Sequence, residues 1–179
     1  VKGGTPPGFE SINVYPEGVT HAIVVDLMAQ VALTATNDFT DLRVCVGGGM
    51  AVQPAVAKEW RERTGSPILQ GYGLTETSPV AIVNPIGTEF SGAIGLPISS
   101  TDVMICNDAG NPLEIGEIGE ICIKGPQVME GYWRRPQDTA DVMLPGGWLK
   151  TGDIGRIDEH GFVFIEDRKK DMILVSGFN

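Results

Sequence analysis

Three segments of this chain carry side chains that together could hold a nucleotide. Gly71-Tyr72-Gly73-Leu74-Thr75-Glu76-Thr77 offers an aromatic ring, then a hydroxyl and a carboxylate side by side. Trp148-Leu149-Lys150-Thr151-Gly152-Asp153 ends in a carboxylate behind a glycine. Asp167-Arg168-Lys169-Lys170 opens the closing run with a guanidinium and two ammonium groups. A tyrosine ring supplies face area for stacking on a base. A hydroxyl beside a carboxylate provides one phosphate donor and one hard oxygen ligand for Mg²⁺, which keeps most of its waters. A carboxylate can accept from both hydroxyls of a vicinal diol, the logic that places an acidic residue on ribose. Each segment also has a plainer reading: a glycine-rich turn with an exposed Glu, a tripeptide that recurs by chance, and a solvated charge run.

Periodicity names the elements that must position these groups. Residues 1–18 are rich in Gly and Pro and read as loop. Residues 22–25 read as a short buried strand and 26–36 as a helix with Asp26 at its N-cap. A second strand over 42–46 runs into Gly47-Gly48-Gly49, read as a strand-to-helix turn. The next helix has Pro54 near its first turn, a stripe of Val52, Val56 and Trp60, and Gly65 as its stop. A third strand over 67–70 leads into Gly71. This alternation predicts α/β architecture, part of a doubly wound unit, with active groups in the loops beyond the strand carboxyl ends. Gly47, Gly48, Gly49 and the 71–76 segment fall there.

From about Gly92 the texture changes to short strands over 101–106, 119–124, 148–151, 156–157 and 162–166. Turns at Asn107-Asp108-Ala109-Gly110-Asn111 and Asp158-Glu159-His160-Gly161 separate them, and a short helix is predicted over 136–142. Such spacing predicts a small, mainly antiparallel sheet or barrel. The expected division is therefore an irregular segment 1–18, an α/β part 19–91, a β-rich part 92–166 and a junction 167–179.

Composition narrows the function classes. A formal net charge of −10 leaves no broad basic face for nucleic acid. Three widely spaced cysteines with no C-x-x-C pattern argue against a disulfide framework or zinc site and suit a reducing compartment. Two histidines make a His-based metal centre improbable. The longest apolar stretch, residues 22–35, is interrupted by Asp26 and Gln30 and falls short of the roughly 20 residues a membrane span needs. The expected location is the cytoplasm, with room for peripheral contact with the inner membrane face.

All three segments resemble the signature segments of the adenylate-forming (AMP-binding) synthetases, most closely those of the long-chain fatty acid–CoA ligases. The resemblance implies an enzyme using fatty acid, ATP, Mg²⁺ and CoA, which makes acyl-AMP and then acyl-CoA. It places Gly47, Gly48 and Gly49 along the adenine and acyl pocket, and Gly71, Tyr72 and Gly73 around the adenine. Thr75 falls on a phosphate oxygen, Glu76 on Mg²⁺, and Asp153 and Arg168 on the ribose side. Lys170 matches the hinge of a C-terminal domain, which Ser176-Gly177-Phe178-Asn179 would open. A further matching stretch, from Gly119-Glu120-Ile121-Cys122-Ile123-Lys124 to Gly131-Tyr132-Trp133, reads as structural, with Tyr132 and Trp133 packing or lining a pocket wall. Glu120 reads as a surface or ion-pair carboxylate.

Two features of the family pattern are absent: a Ser/Thr/Gly-rich phosphate loop upstream and a C-terminal-domain lysine downstream. Both steps of the reaction rest on positioning and charge neutralisation. The chain is therefore expected to be a fragment of such a ligase, with little or no ligase activity alone. Adenylation of aryl or amino acids, or nucleotide binding without turnover, are the alternatives.

Overall fold

A computed structural model describes Leu42 and residues 44–168. The segments read as 1–18, the strand 22–25, the helix 26–36, Lys169, Lys170 and residues 171–179 lie outside the described residues.

Strand β1 (Cys45–Gly48) and strand β2 (Ile68–Tyr72) pair in parallel, Gly47 opposite Gln70 and Gly48 opposite Gly71. The crossover between them is helix α1 (Pro54–Thr64). Its start suits Pro54, whose missing N–H has no partner to lose in the first turn. Its end is Gly65, at φ 71°, whose N–H bonds the Arg61 carbonyl. The face that α1 buries is Ala57 and Trp60, with Val52 packed ahead of the helix, rather than the Val52, Val56, Trp60 stripe. Val52 precedes the first helical turn, so the 3.6-residue period cannot be counted from it.

Two short strands, β3 (Ile82–Val83) and β4 (Leu96–Pro97), extend this sheet antiparallel in the order β1-β2-β3-β4. The sheet is therefore mixed. Two-residue strands leave too little alternation for a period of two to register in sequence.

The second sheet is antiparallel. Strand β5 (Asp102–Cys106), β6 (Gly119–Lys124) and β8 (Trp148–Ile157) lie side by side. Strand β7 (Met143–Leu144), which follows helix α2 (Pro136–Val142), pairs with the start of β8. Strand β9 (Val163–Arg168) pairs with its end. The expected strands 148–151 and 156–157 are thus one ten-residue strand. Both predicted turns form: Asn107 Oδ1 accepts from the N–H groups of Ala109 and Asn111, and Asp158 Oδ1 from those of His160 and Phe162. These are the local side-chain bonds that suit Asn and Asp to turns.

One core serves both sheets. Tyr72, Ala81, Ile82 and Ile94 pack with Ile105, Ile121, Ile123 and Val163. A bridge at Gly95 and Val163 ties the sheets: the Val163 N–H donates to the Gly95 carbonyl and the Ile94 N–H to the Val163 carbonyl, each at 2.9 Å. Gly95 has φ 117°, and a Cβ there would come within 2.1 Å of the Val83 carbonyl carbon. No other residue fits that crossing.

Candidate functional site

Because β1 and β2 are parallel, their carboxyl ends open at one edge of the sheet. Gly47 and Gly48 belong to strand β1 itself, and the turn begins at Gly49, at φ 86°. The small side of Gly48 faces Gly71, where a Cβ would sit 3.2 Å from the Gly71 oxygen.

Beyond β2 the chain turns at Gly73 and makes one 3₁₀ turn over Thr75–Thr77. At Gly73 a Cβ would fall 1.6 Å from the Pro79 carbonyl oxygen, so backbone occupies the space. Thr77 is fully buried and acts as a peg inside the turn. Its Oγ1 accepts from the Leu74 N–H at 2.8 Å and directs its own hydrogen toward the Leu74 and Pro79 carbonyls. With Thr77 pointing inward, Thr75 is exposed and Glu76 half-buried at the rim.

Asp153 is delivered by an irregularity in the second sheet. Cys122 pairs with Lys150 and Glu120 with Ile154, so Ile121 alone opposes Thr151, Gly152 and Asp153. Such a bulge re-aims side chains. Gly152, at φ 77°, makes the bend and donates its N–H to Glu120 Oε1 at 3.1 Å. Thr151 Oγ1 donates to the Ile121 carbonyl at 2.9 Å and accepts the Asp153 N–H at 3.1 Å. Glu120, read as a surface or ion-pair carboxylate, is buried, and its Oε2 lies 3.5 Å from Lys150 Nζ. Strand β6 buries every residue from Glu120 to Ile123, so alternation could not reveal it.

The Tyr72 hydroxyl donates to Asp153 Oδ2 at 2.6 Å. Residues 81 positions apart meet here, at the seam of the two sheets. Tyr72 is only 9% exposed, which leaves a narrow surface for a base. Arg168 stands opposite Asp153 in the β8–β9 register. The segments singled out in the sequence at 71–77, 153 and 168 thus converge, as far as the described residues extend.

A fourth segment joins them. The Met129 N–H donates to the Glu76 carbonyl at 2.8 Å, and Ser78 Oγ to the Gln127 carbonyl at 3.0 Å. The Tyr132 hydroxyl donates to Glu76 Oε1 at 2.7 Å. That bond, then burial, raises the Tyr132 pKa above its ordinary value. The sequence reading had Tyr132 packing or lining a pocket wall; nothing local in Gly131-Tyr132-Trp133 points 56 residues back to Glu76. Trp133 does not pack: it is 84% exposed, with the Arg134 guanidinium 5.5 Å from its ring centre.

The donors suit a magnesium-bound nucleotide. Magnesium is commonly held by one or two carboxylates plus substrate phosphates, and Glu76 offers one carboxylate beside the exposed Thr75 hydroxyl. Among the described residues no group of three or more His, Cys, Asp or Glu could cage a metal by itself. Nor is any helix among them long and apolar enough to cross a membrane.

Comparison with known proteins gives this geometry its context. The chain is 59% identical over 143 residues to a long-chain-fatty-acid–CoA ligase of Yersinia pestis, covering 79% of this chain and 25% of that protein. A long-chain-fatty-acid–CoA ligase of Bacillus subtilis is 45% identical, over 79% of this chain and 26% of its own. A feruloyl-CoA synthase of Amycolatopsis is 38% identical over all of this chain and 39% of its own length. The chain thus spans about a quarter of the length of the long-chain ligases it matches. Among solved structures, ATP-bound MatB from Rhodopseudomonas palustris superposes with a TM-score of 0.77 at 32% identity, covering 88% of this chain and 35% of that one. The anthranilate CoA ligase AuaEII in complex with anthranoyl-AMP gives 0.74 at 29% identity, covering 84% and 30%. The family described as AMP-binding enzyme matches residues 5–133. With most of its length inside that match, this chain belongs to the AMP-binding enzyme family.

Proposed function

We propose that this chain carries the adenosine and magnesium side of the nucleotide site of an AMP-forming acid–CoA ligase whose acid is a long-chain fatty acid. The observation that carries the reading is the 2.6 Å bond from Tyr72 to Asp153, which joins two of the three nucleotide-type segments at one seam.

In this reading a fatty carboxylate oxygen bonds the α-phosphorus of ATP as the bond to pyrophosphate breaks. The CoA sulfur then bonds the acyl carbon, AMP departs with the bonding pair, and the thiol proton passes to solvent. Both steps depend on alignment and on neutralising phosphate charge. Bound Mg²⁺ supplies part of that neutralisation. Glu76 holds the ion's side of the site and Thr75 donates its hydroxyl to a phosphate oxygen. Asp153 accepts from the ribose hydroxyls, and Arg168, its partner in the strand register, is assigned a contact with the ribose and phosphate. Gly47, Gly48, Gly49, Gly71 and Gly73 keep the backbone close around the edge of the base, beside Tyr72. Lys170 is assigned the hinge between the two half-reactions.

Fatty acid is preferred as the acid because identity to the long-chain ligases reaches 59%, against 38% for the feruloyl-CoA synthase. An aryl acid is the second reading, favoured by the match of that synthase across the whole chain. Competition between palmitoyl- and feruloyl-adenylate mimics for the site separates the two. The site itself is tested by calorimetry with AMP. Asp153→Ala should lose about 1–3 kcal/mol of binding free energy, the range for hydrogen bonds involving a charged group. Unchanged affinity would remove Asp153 from the site.

A further inference from the structure

We infer that Tyr132 is a positioning residue for the magnesium-side carboxylate, holding Glu76 by one oxygen so that the other is directed to the cation. The inference rests on the assignment of Glu76 proposed above and adds a residue to it.

Glu76 sits on a 3₁₀ turn of three residues, at the rim, on a side chain with freedom about each of its single bonds. A half-exposed glutamate in such a place samples many rotamers, and a metal ligand that must be ordered on binding loses affinity accordingly. Two bonds to one loop fix the backbone beneath that side chain, and a third acts on the carboxylate itself. The Met129 N–H fixes the Glu76 carbonyl, Ser78 Oγ fixes the end of the turn to Gln127, and the Tyr132 hydroxyl fixes Glu76 Oε1. Tyr132 is itself anchored: its N–H donates to Thr139 Oγ1 at 2.9 Å, and Thr139 Oγ1 donates to the Arg135 carbonyl at 3.0 Å. The loop from Gly125 is held in turn, since Gln127 Nε2 donates to Thr101 Oγ1 at 2.8 Å. The loop that holds one Glu76 carboxylate oxygen is thus itself tied to Thr101, next to β5, and to Thr139 on helix α2. Outer partners of this kind orient ligating carboxylates, and their loss weakens metal affinity.

The test compares ATP affinity with Mg²⁺ and with a chelator present, by calorimetry on the full 179-residue chain. The ratio of the two dissociation constants isolates the metal-dependent gain, which a general loss of structure would not change selectively. Glu76→Gln should abolish that gain. Tyr132→Phe, which keeps the ring, should reduce it by about 3–10-fold while leaving the affinity in chelator unchanged. Combined, the two substitutions should do no more than Glu76→Gln alone. Thr139→Ala, which frees the Tyr132 backbone without touching the pair, should shift the ratio in the same direction. If Glu76→Gln abolishes the gain and Tyr132→Phe leaves it intact, the positioning role is overturned and the Glu76 assignment stands. If Glu76→Gln leaves the gain intact, the assignment of Glu76 itself is wrong.

Discussion

Replacing Tyr72 by Phe removes one hydroxyl, and the structure says what that hydroxyl does. It donates to Asp153 at 2.6 Å, within the short range of bonds to carboxylates, and both partners are more than nine-tenths buried. A hydrogen bond to a charged group contributes about 1.5–3 kcal/mol, and burial places this one toward the upper end, because water cannot replace the lost donor. Phe keeps the ring and its contacts with Ile82, Ile94 and Ile121, so no cavity accompanies the change. Tyr72→Phe should therefore destabilise the chain by about 2–3 kcal/mol in urea unfolding, with an unchanged m-value. A double-mutant cycle with Asp153→Ala isolates the pair. Its coupling energy should be about 1.5–3 kcal/mol. Single effects that add to within about 0.5 kcal/mol would mean the two side chains do not interact, and the seam would lose its polar link.

Gly73→Ala should destabilise by at least about 2 kcal/mol, since its methyl would collide with the Pro79 carbonyl rather than with a movable side chain. Thermal unfolding at wild-type stability would contradict that crossing. Lys150→Met removes the ammonium beside buried Glu120, which keeps the Gly152 N–H, and should cost roughly 1–3 kcal/mol. Glu120→Gln, which retains an acceptor for the Gly152 N–H, should cost less, and the reverse order in denaturation would count against the pair. Burial, then the Cys106 hydrogen bond, pushes the Cys122 thiol well above its usual value near 9. Its folded-state pKa exceeds its unfolded one, so the associated stability is intact below pH 9 and declines above it. The slope should approach about 1.4 kcal/mol per pH unit for that thiol. A flat stability profile between pH 9 and 10.5 would refute this.

What could be read from the sequence follows the physical range of each signal. Helix α2 and strand β6 have the predicted bounds, because Pro at a helix start and β-branched residues between turn glycines are local signals. Both polar turns were legible for the same reason. The antiparallel strands β3 and β4 were not, since two residues carry no period. The unbroken course of β8 through Gly152 was hidden by a bulge whose stabilising partners, Ile121 and Glu120, lie 30 and 32 residues away. At the candidate site, residue types at 72, 75, 76 and 153 pointed through their neighbours to the chemistry proposed for them. The burial of Thr77 and the bond from Tyr132 to Glu76 did not show, because each is defined by a partner and not by a motif; for Glu120 the ion pair was among the readings and the burial was not. Thr77 looks like one more hydroxyl in Thr75-Glu76-Thr77 until its burial is known.

The most direct measurement is a structure of the chain in complex with a non-hydrolysable acyl-adenylate mimic. The ribose hydroxyls should lie within 3 Å or so of Asp153, in hydrogen-bond range. The base should run along Tyr72 and the glycines at 47–49, with the phosphate beside Thr75. A mimic bound elsewhere, with the Tyr72–Asp153 seam vacant and intact, would contradict the single-site account.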